Sequence, residues 1–234
     1  MRLLLAVLLP LLSLTAADQR VATRSGISVT YDAADFSAHS WKQEPRLTAQ
    51  EIGTDIPEGV GPAHAVLLLT ARNGSRRDPQ DSRIAFIPLS DPSVSDFAKA
   101  YPGLQSSAKA LRALIAARRI PSKRQLNAAD PELVDSEYSF CSRIERIDTP
   151  ALNGFAYLAQ FTQELHPDPP DNRQLTYVFL GITAGGRYLV EANIAVSHTS
   201  LPKSPNQLPN LDAASFQPPL PRLKSLVQSI SVAP

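Results

Sequence analysis

The stretch that decides the fold reads Tyr177-Val-Phe-Leu-Gly-Ile-Thr-Ala-Gly-Gly-Arg-Tyr-Leu-Val-Glu-Ala-Asn-Ile-Ala-Val196. In its second half every other side chain is apolar and falls on one face, while Glu191 and Asn193 fall on the other. This period of two is typical of a half-buried β-strand whose second face is polar. Gly185 and Gly186 supply the positive φ angles that a tight turn requires. The stretch therefore predicts an antiparallel hairpin whose two halves pair around the glycines.

A second hairpin is predicted upstream of the first. It joins the alternating segment 138–144 to the segment 155–161, with Asn153 and Gly154 at or near the turn. Three further segments have the composition and periodicity of strands, namely 26–31, 65–70 and 83–89. Because strands joined by hairpins run antiparallel, we expect one antiparallel sheet.

Helical periodicity occurs in three places. Ser93, followed three residues later by Asp96, resembles a capping box and predicts a helix start before residues 97–101. Residues 107–119 place apolar side chains along one stripe, and Pro221 fits the first turn of a C-terminal helix. These helices are too few to cover both faces of a sheet. The expected architecture is an α+β domain with an antiparallel sheet and the helices packed on one face.

Composition and charge restrict the function classes. The 234 residues include 23 Lys plus Arg against 22 Asp plus Glu, which gives a formal net charge of +1. Such a balance argues against a dedicated nucleic-acid binder, which needs an excess of positive charge. A single cysteine excludes an internal disulfide, a cysteine-rich zinc site and a Cys-x-x-Cys redox pair. We expect no metal and no cofactor.

The N-terminus has the pattern of an export signal. Arg2 precedes an uncharged apolar run that extends from Leu3 to Leu12, and small residues occupy Thr15 and Ala17. A positive charge, an apolar run and small residues at these positions are typical of a cleaved secretory signal. The run is too short for a transmembrane helix, which needs about 20 apolar residues. We therefore expect a protein of the periplasm or the cell exterior, cleaved near Ala17, with no transmembrane segment.

The mature chain is expected to form one domain. Residues 1–17 are assigned to the signal peptide and residues 18–234 to a single α+β domain, since this length suits one hydrophobic core. Prolines concentrate in two segments, 165–171 and 200–221, which are predicted to be loops because proline lacks the amide donor that helices and central strands use. The oligomeric state is left open.

Residues 177–202 also carry a recognisable pattern. It consists of Tyr177-x-Phe-x-Gly-x-Thr183, a glycine hairpin and an aliphatic strand that ends in Val-Ser. The pattern resembles a family of exported bacterial proteins, many of them lipid-anchored, for which no activity is established. Two departures are visible: Ala195 stands where proline is common, and the lipid-attachment cysteine is missing. The order of elements is also loosely similar to the PsbP-type α+β fold, whose members mostly bind other proteins. The resemblance implies an exported α+β domain and brings no catalytic residues.

Residues that could carry chemistry form no complete catalytic set. Ser106 and Lys109 make a Ser-x-x-Lys pattern, which penicillin-binding enzymes use for a nucleophilic serine, but the companion Ser-x-Asn and Lys-Thr-Gly motifs do not occur. His198 follows a strand end and is the histidine to examine first. Cys141 lies in an alternating segment and is expected to be a small buried hydrophobe. His39, His64 and His166 form no pair at metal-ligand spacing and are expected to be loop or surface groups. His166, Asp168 and Asp171 offer one nitrogen and two carboxylates, but three prolines stiffen their segment, which is expected to be a solvated loop.

Basic residues cluster at the C-terminal end of a predicted helix and in the loop after it. Arg118, Arg119, Lys123 and Arg124 are the candidate contact residues. The helix dipole favours cations at this place, and an acidic protein surface or an anionic envelope polymer would favour them as well. Two function classes remain open. One is a non-catalytic binding or accessory domain of the cell envelope, and the other is an exported hydrolase whose site is assembled only in three dimensions.

Export predicts a shortened chain in the envelope. Protein recovered from the periplasm or the medium should lack residues 1–17, because signal peptidase cleaves after small residues such as those at Thr15 and Ala17. N-terminal sequencing of the recovered protein measures this directly. An intact Met1 in that fraction would contradict the prediction.

Overall fold

The computed structural model describes residues 18–46, 61–72, 82–131, 133, 137–162 and 169–233. The predicted signal peptide, His166 and Asp168 lie outside the described residues. The strands, in chain order, are β1 (Gln19–Arg24), β2 (Ile27–Asp32), β3 (Phe36–Glu44), β4 (His64–Ala71), β5 (Ser82–Pro88), β6 (Glu137–Asp148), β7 (Leu152–Thr162), β8 (Thr176–Thr183), β9 (Tyr188–Ala195) and β10 (Ser231–Val232). The α-helices are α1 (Phe97–Ala100), α2 (Pro102–Ala117), α3 (Lys123–Ala129) and α4 (Leu220–Gln228). Short 3₁₀ segments cover 184–186, 205–210 and 213–215.

In the described parts of the chain, ten strands form two antiparallel sheets. The large sheet has seven strands in the spatial order β3-β4-β5-β9-β8-β7-β6, and the small sheet has three in the order β1-β2-β10. Together with the helices, these sheets confirm the predicted α+β class. The small sheet was not expected, because only β2 among its strands has a clear apolar alternation.

The central hairpin forms as predicted. In the pairing of β8 with β9, Tyr177 lies opposite Ile194 and Ile182 lies opposite Leu189. Gly185 and Gly186 in the connection have φ angles of 79° and 71°, where a Cβ atom would be unfavourable. The glycines therefore provide the turn that brings the two strands together.

The central strands of the large sheet, β8 and β9, are buried on both faces. On one face Val190, Ala192 and Ile194 pack against α4 and the small sheet. On the other face Leu189 and its neighbours pack against α2 and α3. The helices thus lie on both faces and not on one. The reason is that β8 has apolar side chains on both faces, so each side needs a cover.

The second hairpin also forms. Residues 149–151 make the turn, where Thr149 N–H donates to Leu152 O at 2.9 Å. Asn153 and Gly154 lie near this turn, as predicted, but they belong to the start of β7 and do not form the turn itself. Gly154 faces Gly181 of β8, and a Cβ built on Gly154 would lie 2.3 Å from Leu180 O. This glycine is needed for the close approach of two strands rather than for a turn.

The helix starts also differ from the expectation. The α1 helix begins after Asp96, which has a left-handed φ of 53° and makes no side-chain cap. The hydroxyl of Ser93 donates to Asp91 instead, so the predicted capping box is absent. A true capping box lies at α3, where the Ser122 hydroxyl accepts from Gln125 N–H and the Gln125 side chain accepts from Ser122 N–H. The predicted helix 107–119 begins earlier, because Pro102 occupies the first turn of α2.

The glycine contact between β7 and β8 gives a stability prediction. Gly154→Ala should lower the free energy of unfolding by about 2 kcal/mol or more, because the added methyl group meets backbone atoms that cannot move aside. Gly61→Ala is the matched control, since a Cβ at Gly61 meets nothing within 4 Å. Chemical denaturation of both variants measures the difference. Equal stabilities would show that the two strands do not approach as described.

Candidate functional site

The four predicted contact residues lie on and beside the connection between α2 and α3. Arg118 ends α2 with a left-handed φ of 54°, and its N–H donates to Ile115 O at 3.3 Å. Arg119 follows it, while Lys123 and Arg124 belong to the first turn of α3. Arg118, Arg119 and Arg124 are exposed. The short connection therefore presents several cations on one part of the surface, which we call the basic segment (residues 118–124).

Ion pairing within the basic segment is incomplete. Lys123 Nζ lies 3.5 Å from Glu137 Oε2, a separation typical of a weak surface pair. For Arg118, Arg119 and Arg124 there is no salt bridge to any of the described residues. Three guanidinium groups are thus available to an anionic partner.

An exposed isoleucine lies inside the basic segment. The side chain of Ile120 is 60% exposed, and Val21 at 57% is the other large apolar side chain exposed to this degree in the described part of the chain. Exposing an aliphatic side chain of this size to water is unfavourable. Sequence reasoning missed Ile120, because a single isoleucine next to a proline gives no signal of its exposure.

A shallow groove begins at Ile120. It has a volume of about 300 Å³ and follows β6, the terminal strand of the large sheet. We call it the β6 groove, and its lining residues are Ile120, Phe140, Cys141, Ser142, Arg143, Ile144, Pro205, Asn206 and Pro209. One wall of the groove, formed by Pro205, Asn206 and Pro209, belongs to the predicted loop 200–221.

Arg143 fixes that wall. Its guanidinium donates to Leu208 O and to Pro209 O, each at 3.0 Å, and also contacts Leu211 O. The residue has a positive φ of 52° and lies at a bulge of β6. An arginine held by several carbonyl groups in this way keeps the loop against the edge of the sheet. The β6 groove is consequently preformed.

Cys141 lies in the groove but is poorly suited to nucleophilic chemistry. Its side chain is partly buried, and burial raises the pKa of the thiol to about 12. The thiolate is the reactive form, so a thiol with this pKa stays protonated near neutral pH. The cysteine expected to be a small buried hydrophobe is thus only partly buried.

His198 is buried, with 7% of its surface exposed, and its two ring nitrogens are both engaged. Nδ1 accepts from Ser200 N–H at 3.0 Å, which places the proton on Nε2, and Nε2–H donates to Ser215 Oγ at 2.8 Å. The Ser215 hydroxyl in turn donates to Asp212 O at 2.7 Å. In this arrangement His198 cannot take a proton from the serine. The pair ties the 213–215 turn to the end of β9.

The Ser-x-x-Lys pattern is exposed on α2. Ser106 and Lys109 both face solvent, and the described residues include no hydrogen bond between them. Neither residue lines the β6 groove. A nucleophile needs a base within hydrogen-bond reach and a concave site around it. This geometry gives no support to a catalytic role for Ser106.

A second cleft, of about 400 Å³, lies between the two sheets and the start of α4. It includes Asp35, whose carboxylate is 3.1 Å from Arg222 Nη1. Burial raises the pKa of Asp35, and Arg222 opposes that shift. Ser215 and Gln217 contribute further polar groups to the lining. The charges of Asp35 and Arg222 compensate each other, so the cleft offers no strong preference for a charged ligand.

Glu191 and Asn193 lie beneath the helices and not on a polar surface. Glu191 is 1% exposed and accepts from the Asn193 side-chain amide. Burial, reinforced by the charge of Asp130, raises the pKa of Glu191 to about 8. Among the described residues, Glu191 Oε2 has no hydrogen-bond partner. The prediction that this face is open and polar is wrong, because α2 and α3 cover it.

Asp130 is a second buried carboxyl on this side of the sheet. It accepts from the Tyr138 hydroxyl, which itself accepts from the Tyr157 hydroxyl at 3.0 Å. Burial raises the pKa of Asp130 to about 6, with the Tyr138 hydrogen bond acting in the opposite direction. Sequence reasoning missed this group, since Asp130 reads as a helix-terminating residue. The carboxyl is 4% exposed, so substrate has no evident access to it.

Neither a metal cluster nor a membrane-spanning helix is found in the described ranges. No group of three or more His, Cys, Asp or Glu side chains there could hold a metal ion. In the same part of the chain, no helix has both the length and the apolar character needed to cross a membrane.

Comparison with known proteins finds no matching family model, no matching curated protein and no matching solved structure. The resemblance of residues 177–202 to an exported bacterial family, and the PsbP-like order of elements, therefore stay predictions.

The buried position of Glu191 gives a pH prediction. Since its pKa rises from 4.5 to about 8 on folding, the folded state holds a proton that the unfolded state has lost, and stability falls as pH rises through this range. Between pH 6.5 and 8 the loss should reach up to about 2 kcal/mol. Glu191→Gln removes this part of the pH dependence.

Urea unfolding at several pH values measures the effect. Glu44→Gln, on the surface strand β3, is the matched control and should keep the slope of the unmodified protein between pH 6.5 and 8. If Glu191→Gln and Glu44→Gln gave the same slope in this window, Glu191 would not be protonated in the fold.

Proposed function

We propose that this protein is a non-catalytic binding or accessory domain of the cell envelope that contacts an anionic partner through its basic segment. The observation that carries the proposal is the connection between α2 and α3, which presents Arg118, Arg119 and Arg124 without salt bridges to described residues. An anionic partner could form favourable electrostatic contacts with all three guanidinium groups at once. An acidic protein surface and an anionic envelope polymer both meet this requirement.

The conformation of Arg118 supports a role for its charge. A helix that ends with a residue in the left-handed region usually has glycine there, because a side chain costs about 1 kcal/mol or more. The chain has arginine at this position instead. A contact between the guanidinium group and an anionic partner would explain why arginine, and not glycine, occupies this position.

The alternative, an exported hydrolase, has less support. His198 and Ser215 hold each other and a backbone carbonyl, and Cys141 is protonated near neutral pH. The two buried carboxyls, Asp130 and Glu191, lie under the helices. These groups are accounted for by packing and hydrogen bonding, and none of them adjoins a nucleophile with a free base.

Location in the envelope rests on the N-terminal pattern. Arg2, the apolar run that follows it and the small residues before Asp18 favour export through a cleaved signal. The partner would therefore be a component of the periplasm, the cell wall or the cell surface.

Affinity capture from an envelope extract of the native host tests the proposal. The bait is the mature protein, compared with a triple variant carrying Arg118→Gly, Arg119→Ser and Arg124→Ser. We expect the triple variant to lose the captured partner. Arg118→Gly suits the left-handed φ, so the loss of charge there should not weaken the fold.

A matched control removes three other exposed cations, by Lys99→Ser, Arg173→Ser and Lys203→Ser. This control should retain the partner, because its net charge equals that of the triple variant while the basic segment is intact. Equal retention by both variants would exclude the basic segment as the contact. Absence of any partner, together with turnover of an ester, peptide or glycoside by the purified protein, would favour the hydrolase.

A further inference from the structure

The β6 groove adjoins the basic segment through Ile120. This side chain lines the groove and also lies in the sequence between Arg119 and Lys123. An apolar depression and a set of cations therefore form one continuous surface. A partner that binds the cations necessarily lies close to the groove.

The character of the groove is partly apolar. Ile120, Ile144 and Cys141 contribute side chains that are exposed or half-buried, and prolines of the 205–210 segment face them. Its volume of about 300 Å³ is at the lower limit of small-ligand pockets, and its shallow form suits one or two side chains of a larger partner. An apolar side chain placed there would shield Ile120 from water.

The groove lies along the edge of a sheet. β6 has a strand neighbour on one side only, which is β7. Its outer side is held at two points, since Asn127 accepts from Tyr138 N–H near one end and Arg143 holds the 205–210 segment further along. Residues 140–144 of β6, which include Arg143, contribute to the lining of the groove. A chain in extended conformation fits a sheet edge of this kind.

We propose that the β6 groove and the basic segment together bind an extended acidic segment of another protein, with an aliphatic side chain against Ile120 and carboxylates against Arg118, Arg119 and Arg124. This inference rests on the proposed function and names the partner within it. A polyanionic glycan or phosphate polymer would satisfy the arginines but would gain nothing from the exposed isoleucine. Ile120 therefore favours a polypeptide.

The test uses a defined probe. A fluorescently labelled peptide with a Val-Leu-Val centre flanked by glutamates is titrated with the mature protein, and fluorescence anisotropy gives the affinity. Ile120→Ser should weaken binding about tenfold, the effect expected for truncating a central apolar anchor. The matched control is Val21→Ser, which removes the other strongly exposed aliphatic side chain, on β1 in the small sheet. That variant should bind like the unmodified protein.

Two further probes separate the contributions of charge and apolar contact. A peptide with the same glutamates and a Ser-Gly-Ser centre should bind more weakly and respond equally to added salt, but should not respond to Ile120→Ser. Dextran sulfate should compete only through the arginines, so that Ile120→Ser leaves its affinity unchanged. This pattern would support an acidic polypeptide as the partner.

Other outcomes overturn the inference without touching the proposed function. If Ile120→Ser and Val21→Ser bind the Val-Leu-Val peptide equally well, the β6 groove is not used. If dextran sulfate binds more tightly than either peptide, the partner is a polymer. If no peptide binds while the triple arginine variant still loses its captured partner, the basic segment functions without the groove. Because Ile120 is exposed, the serine variant should melt like the unmodified protein, and circular dichroism checks this.

Discussion

Burial of the central hairpin on both faces is the constraint on which the rest of the structure depends. All residues of β8 are buried, and its partner β9 is buried except at its two ends. An antiparallel sheet commonly leaves one face exposed to water, whereas the two strands of this hairpin are buried on both faces. The chain therefore supplies two covers, α2 with α3 on one side and α4 with the small sheet on the other. The buried carboxyls and the contacts of the 205–215 region are consequences of how these two covers pack on the sheet.

The two covers differ in what they hold. The cover formed by α2 and α3 buries polar groups, and on the opposite side, side-chain hydrogen bonds attach loops to the strands. Under α2 and α3, burial raises the pKa of Glu191 to about 8 and that of Asp130 to about 6, so Glu191 is largely protonated near neutral pH and Asp130 only at mildly acidic pH. A protonated carboxyl avoids the desolvation cost that its charged form would carry. On the opposite side, Arg143 and His198 attach the 205–215 region to the strands through carbonyl and hydroxyl groups. Side chains that could take part in catalysis or binding, such as His198 and Arg143, thus hold segments of the chain in place. The connection between α2 and α3, by contrast, keeps its basic side chains exposed.

Sequence reasoning succeeded where a pattern had one structural meaning. Both hairpins, the α+β class and the C-terminal helix follow from strict periodicity and from glycine and proline positions. It failed for β3, whose residues are mostly exposed and give no alternation, and for α3, which is too short for a helical period. The burial of Glu191 could not be predicted, because alternation separates two faces of a strand but does not distinguish a solvated face from one covered by a helix. The basic segment could be located from the sequence, whereas Ile120 and the β6 groove depend on contacts with residues about 20 and 85 positions further along the chain.

The small sheet has a consequence for the order in which the chain can fold. Ser28 of β2 lies opposite Ser231 of β10, and Thr30 exchanges hydrogen bonds with the side chain of Ser229. The cover over one face of the central hairpin therefore combines segments from the two extremes of the described chain. During synthesis, strands β3 to β9 are complete while this face still lacks α4 and β10. An apolar surface then stays open until residues 220–232 have emerged, so this face can be completed only after they are available.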